Sequence, residues 1–142
     1  MPTPEQQLLL RFDDIRVVKL SMTVPENQLD RSEELEIQLG FDPIFYNDKD
    51  KEFDILFSVE IKNKDNSFLM EAKALARFFT NGVITDDFKN SSFTKISAPA
   101  IAFPYLRAYI STVTLNSGIH PVVLPAFNFT NVKVDKDDKE SK

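Results

Sequence analysis

Four stretches of this chain place an apolar side chain at every second residue. That pattern restricts the fold more than any other feature, because a period of two puts successive side chains on opposite faces of a strand. In IRVVKLSMTV the apolar phase is Val18, Leu20, Met22 and Val24. In EELEIQLGF it is Leu35, Ile37, Leu39 and Phe41, against Glu34, Glu36 and Gln38. In FDILFSVEIK it is Phe53, Ile55, Phe57, Val59 and Ile61, against Asp54, Ser58, Glu60 and Lys62. In FLMEAKALARFF it is Phe68, Met70, Ala72, Ala74, Ala76 and Phe78, against Glu71, Lys73 and Arg77. The last stretch is also rich in helix formers. The NKDN ahead of it reads as a hairpin turn and makes it the fourth strand. VPENQLDRS then connects the first strand to the second, and DPIFYNDKD forms a loop between the second and third.

After the fourth strand the period weakens, with a short helix expected near Asp86–Lys95 and Asp86-Asp87 as its cap. Pro104 to Asn116 reads as a longer helix, with Pro104 in its first turn and Asn116-Ser117-Gly118 as its stop. Pro121 and Pro125 force an extended path beyond it. One helix face carries Tyr105, Leu106, Tyr109, Ile110 and Val113; the other carries Ala108, Ser111, Thr112 and Thr114. From Ile96 to Val132 the one formal charge is Arg107, although 27% of the chain is charged. Two accounts fit so bare a stretch. Either another subunit or a ligand covers what the sheet does not, or the monomer buries it all. The expected class is α+β: a four-stranded antiparallel sheet with helices packed on one face.

The 142 residues suit a single domain, taken as residues 1–132, followed by a charged tail at 133–142. A net charge of −5 disfavours nucleic acid as a partner. The chain has no cysteine, so neither a disulfide nor a thiolate metal site is expected. MPTPEQQLLLRFDD lacks the basic region and long apolar core of a secretion signal, which points to a cytoplasmic protein. The uncharged stretch at 108–132 is too broken by Asn, Gly and Pro to insert in a membrane. His120 is the lone histidine, sits outside any nucleophile motif and reads as structural. Three glycines offer no phosphate-cradling loop. NDKDKEFD lacks the central glycine of a calcium loop and reads as a solvated turn. Catalysis, a cofactor and a metal are therefore not expected.

The segment AFPYLRAYISTVTLNSGIHPVVLPAFNF resembles the SecB family of protein-export chaperones. The family's first long helix opens with Phe-Pro-Tyr, as at Phe103, Pro104 and Tyr105, and an Arg follows, as at Arg107. The helix ends in a Gly, as at Gly118, with Pro soon after, as at Pro121. An aliphatic stretch then leads to Pro125 and the Asn128-Phe129 pair. The resemblance extends from Leu9 to Phe129. It implies assembly into homodimers or homotetramers through the long helix, here Tyr105, Tyr109, Ser111 and Thr112. It also implies ATP-independent holding of unfolded preproteins in apolar grooves. The family's client-handling positions fall on Leu35, Ile37, Leu39, Met70, Ala72 and Ala74, for which core packing is the plain alternative.

Family members dock the export ATPase SecA through acidic residues on the sheet. One matches Glu71, whereas two others fall on Lys19 and Thr23, which weakens docking to a basic partner. The family's connecting Trp and its paired glycines in the fourth strand are replaced, and its C-terminal helix is missing. SecB-like proteins also guard antitoxins, so the expected partners are unfolded preproteins, an antitoxin, or SecA. The competing classes are a small enzyme or ligand-binding module on the same fold, and an adaptor for one fixed partner.

Overall fold

A computed structural model describes residues 9–27 and 33–130, and its first four elements are the expected strands. They are β1 (Leu10–Thr23), β2 (Glu36–Tyr46), β3 (Lys49–Lys62) and β4 (Leu69–Thr80). All pairings are antiparallel, and the spatial order is β1-β4-β3-β2. The even residues of β4 and the odd residues of β3 therefore share one face. Phe53, Ile55, Phe57, Ile61, Met70, Ala72, Ala74, Ala76 and Phe78 all have 0% exposure there. The expected tail at 133–142 lies outside the described residues, as does part of the connection from the first strand to the second.

The strands depart from the sequence reading in two places. Residues 42–46, expected in a loop, continue β2 as far as Tyr46, so that only Asn47 and Asp48 form the turn. Phe45 pairs with Phe53 across the hairpin with rings 5.5 Å apart, and this contact carries the strand onward. Pro43 is accommodated because β2 is an edge strand, where a missing N–H costs no ladder bond. In β1 the inward phase is not constant. Register shifts after Phe12 and after Val17 make the inward set Leu10, Phe12, Ile15, Val17, Leu20 and Met22. Val18, expected inside, is 49% exposed. Each bulge inserts a residue and flips the alternation, so one phase read along the segment fails.

The β3–β4 hairpin closes as NKDN indicated. Asn63 accepts the Phe68 N–H on its side-chain oxygen and donates to Ser67 Oγ. Asn66 takes the left-handed conformation, φ 63°, which asparagine tolerates.

Beyond β4 the expected helix at 86–95 divides in two. Thr85, not the aspartates, caps α1 (Asp86–Lys89) by accepting the Phe88 N–H, while Asp86 and Asp87 fill the first turn. A π-helical turn, Phe93–Ser97, leads directly into α2 (Ala98–Asn116). Pro104 is therefore interior to α2 rather than in its first turn. Its ring is exposed, so water can reach the Ala100 carbonyl that lacks an N–H partner. Gly118 ends the helix at φ +86° and donates to Leu115.

Helix α2 covers one half of the inner sheet face with Ala98, Ala102, Phe103, Leu106, Ile110 and Thr114. The chain then turns back along the helix. Residues 119–130 form an extended strap that buries Ile119, Val122, Leu124 and Phe129. Phe129 meets Phe41 of β2 edge-on at 5.3 Å, so the strap covers part of the other half.

Candidate functional site

The candidate residues divide between two environments on the inner face. Leu35, Ile37 and Leu39 precede or lie on β2, at the edge of the sheet, and all three are half-buried. Ile37 is opposite the fully buried Ile61 and Leu39 opposite Val59, so their inner surfaces belong to the core while an outer strip remains open. Met70, Ala72 and Ala74 sit on central β4 with no exposure. The small alanines let α2 approach the sheet, and the three residues present no accessible surface. The fold thus places all six residues on one face but leaves only the β2 trio reachable.

The strap meets β2 at Phe41, the residue in phase after Leu39; sequence reasoning placed it only within the bare stretch from Ile96 to Val132. Val122 donates its N–H to Thr114 Oγ1 at 2.9 Å, and its carbonyl accepts from Ser111 Oγ at 2.9 Å. Arg107 Nε donates to the Leu124 carbonyl at 2.6 Å. These three bonds explain Ser111, Thr114 and the helix's one charge, Arg107: they fasten the strap. The prolines at 121 and 125 were the available signal, since they keep the segment extended.

Of the proposed interface residues, Ser111 spends its hydroxyl on the strap and Tyr109 is half-buried. Tyr105, placed on the inner face by periodicity, is 52% exposed and stacks on Phe12 at 4.7 Å. Thr112 is exposed. Thr114, expected outside, is buried because its hydroxyl bonds both Val122 and the Ile110 carbonyl. The outward stripe of α2 comprises Ile101, Tyr105, Ala108, Thr112 and Leu115, all uncharged.

On the opposite sheet face Glu71 lies 2.8 Å from Lys19 Nζ. The hydrogen bond and charge of Lys19 hold the Glu71 carboxyl below the usual carboxylate range. Farther along, Asp54 is 1% exposed and is held by a forked pair from Arg77, at 3.0 and 3.2 Å, and by the Tyr46 hydroxyl. Arg77 also reaches Glu52 at 3.3 Å. Asp54 therefore belongs to an ion-pair network, and NDKDKEFD is turn and strand. Among the described residues no group of three or more acidic or histidine side chains is arranged to hold a metal. No helix among them is long and apolar enough to cross a membrane.

A four-stranded antiparallel sheet partly covered by one long helix and a returning strap is a SecB-like fold. The chain belongs to the SecB family: the family model for the preprotein translocase subunit SecB matches residues 4–139. A protein-export protein SecB from Nitrosomonas eutropha is 28% identical over 98% of this chain and 90% of its own length. An uncharacterised protein of Methanocaldococcus jannaschii is 41% identical over 58 residues, which span 38% of this chain and 37% of that protein. Among solved structures, the SecB-like chaperone Rv1957 of Mycobacterium tuberculosis was determined in complex with a ChAD peptide from the HigA1 antitoxin. It superposes with a TM-score of 0.65 at 13% identity, covering 83% of this chain and 87% of that one. That likeness establishes the fold, which is the SecB-like one expected from the sequence.

Proposed function

We propose that this protein is an ATP-independent holding chaperone of the cytoplasm that binds unfolded polypeptide in an apolar surface groove. The observation that carries the reading is the open strip of half-buried Leu35, Ile37 and Leu39 at the β2 edge of the sheet, on a chain of the SecB family. Buried Met70, Ala72 and Ala74 lie on the same sheet face, as part of the core on which the strip rests. A client segment would bury its own apolar side chains against the strip. The role is binding, without a catalytic step.

The test is Ile37→Arg. Its side chain is half-buried at an edge, so the long Arg stem can lie along the sheet with its charge in water. Titration with a permanently unfolded, reduced and carboxymethylated polypeptide should show affinity lost by tenfold or more, on the order of 1.4 kcal/mol. Far-ultraviolet circular dichroism should be unchanged. If Ile37→Arg unfolds the chain, the residue is core and the assignment of the strip fails.

A second reading is a chaperone dedicated to one partner, such as an antitoxin. It is favoured by the resemblance to a fold solved with an antitoxin peptide, and by the Lys19–Glu71 pair. That pair neutralises the one acidic residue that matches the family's SecA-docking set. No affinity of the intact protein for unrelated unfolded chains would select this reading.

A further inference from the structure

The chain holds a single Asn-Gly pair, Asn81-Gly82, directly after β4. Asparagine is a thermally labile residue, and its neighbour sets how labile. The backbone nitrogen of the next residue can close a ring on the asparagine Cγ. A side chain on that residue crowds the approach, and glycine, without a Cβ, does not. Asn81 is exposed and lies outside any helix or strand. The Gly82 N–H enters no hydrogen bond among the described residues.

What restrains the pair is Leu9. Its N–H donates to Asn81 Oδ1 at 2.9 Å, and its carbonyl accepts from the Asn81 N–H at 3.4 Å. Thr80 Oγ1 donates to the Gly82 carbonyl at 2.7 Å. Ring closure turns the Asn81 side chain toward Gly82, so the bond to Leu9 must break first. Leu9 is 63% exposed and precedes β1, which lies at the edge of the sheet and pairs with β4 alone. Strand ends of this kind open at little cost in free energy. Phe12 limits the opening, because its ring packs on Phe78 at 5.5 Å and on Tyr105 at 4.7 Å.

We propose that Asn81 is a deamidation site gated by Leu9, converted as the protein ages to aspartyl and isoaspartyl forms. The Gly82 nitrogen bonds to Asn81 Cγ and gives up its proton. The Cγ–Nδ2 bond breaks, and the side-chain nitrogen leaves as ammonia with that proton. Water then opens the cyclic imide, and nothing is oxidised or reduced. Cleavage of the new N–Cγ bond gives aspartate, whose carboxylate still accepts the Leu9 N–H. Cleavage of the original peptide bond leaves the chain running through Cγ, with an extra methylene in the main chain. The longer path cannot keep the Leu9 and Thr80 bonds together. The isoaspartyl form therefore unfastens the start of β1 from the end of β4, as far as Phe12.

The full chain is aged at neutral pH below its unfolding temperature, and its proteolytic peptides are weighed over time. The Asn81 peptide should gain the mass difference between an NH2 and an OH group. It should do so before the peptides of Asn66 and Asn116, which are also exposed but are followed by serine. Gly82→Ala should lose the gain with circular dichroism unchanged, because Gly82 does not have a positive φ. Leu9→Pro removes the donor that holds Asn81 and should speed the reaction severalfold. Amide exchange at Leu10 and Arg11 should quicken in the isoaspartyl protein and match wild type in Asn81→Asp. An intact Asn81 in protein whose Asn66 or Asn116 has converted overturns the site. Equal rates in wild type and Leu9→Pro overturn the gate, and unchanged exchange in the isoaspartyl form overturns the unfastening of β1.

Discussion

Arg77 and Asp54 illustrate how much one pair can hold. The Asp54 carboxylate faces the side of the sheet opposite α2, yet it is 1% exposed beneath Tyr46 and Arg77. Removing one partner of a buried pair strands the other charge. Arg77→Met should therefore cost about 3 kcal/mol in urea denaturation, more than the loss of an exposed pair. Asp54 also accepts the Tyr46 hydroxyl, and this hydrogen bond raises the Tyr46 pKa above its usual value of 10.0. The raised value means that this contribution is complete below pH 10 and is lost as pH rises through the folded value. Glu71 has the opposite sign. Its carboxyl is depressed by Lys19, so its contribution exists above the usual value of 4.5 and is lost as pH falls through the folded value. Lys19→Ala should return the Glu71 midpoint, followed by carboxyl NMR, to the ordinary range. No shift of the midpoint would remove Lys19 as the cause.

Among the elements, the strap depends on α2 for its backbone partners. Thr114→Val keeps the shape of a buried side chain but leaves the Val122 N–H unpaired. It should cost about 1–3 kcal/mol, and Thr114→Ser should recover most of it. Equal stability of Val and Ser variants would show that the bond contributes nothing. The pattern of failure and success in reading the sequence follows from such contacts. The central strands were legible because both are continuous, buried on one face and strictly alternating. β1 was not, because two bulges reverse its phase after Phe12 and after Val17. The end of β2 was hidden because Asp42, Pro43 and Asn47 carry loop signals, while Phe45 finds its strand partner only across the hairpin. The helix face was misassigned at Tyr105 and Thr114 because hydropathy ranks tyrosine above threonine. A hydroxyl with a backbone N–H to bind is nonetheless better buried than a ring with Phe12 beside it at the surface. Of the six client positions, the β2 trio has an open strip; the β4 residues lie under this chain's own α2, whose approach the alanines at 72, 74 and 76 allow, and periodicity alone cannot separate such a core from a groove.

For the molecule as a whole, we propose that copies of this chain meet through the uncharged stripe of Ile101, Tyr105, Ala108, Thr112 and Leu115, where Ile101 is 42% and Leu115 57% exposed. Thr112→Glu introduces a charge at its centre without touching an internal contact. It should lower the native mass to that of a smaller species while circular dichroism stays constant. An unchanged mass would move the interface elsewhere. The strand order carries a further consequence, for the time course of folding. β2, β3 and β4 are joined by two short hairpins, so they can form a meander as soon as that part of the chain exists. β1 pairs with β4 across most of the sheet's sequence, Leu10 with Thr80 at its far end. Closing so long a loop is entropically slow and gains nothing until β4 is in place. The first strand to leave the ribosome is thus the last to join the sheet. Until β1 arrives, β4 waits with one edge unpaired.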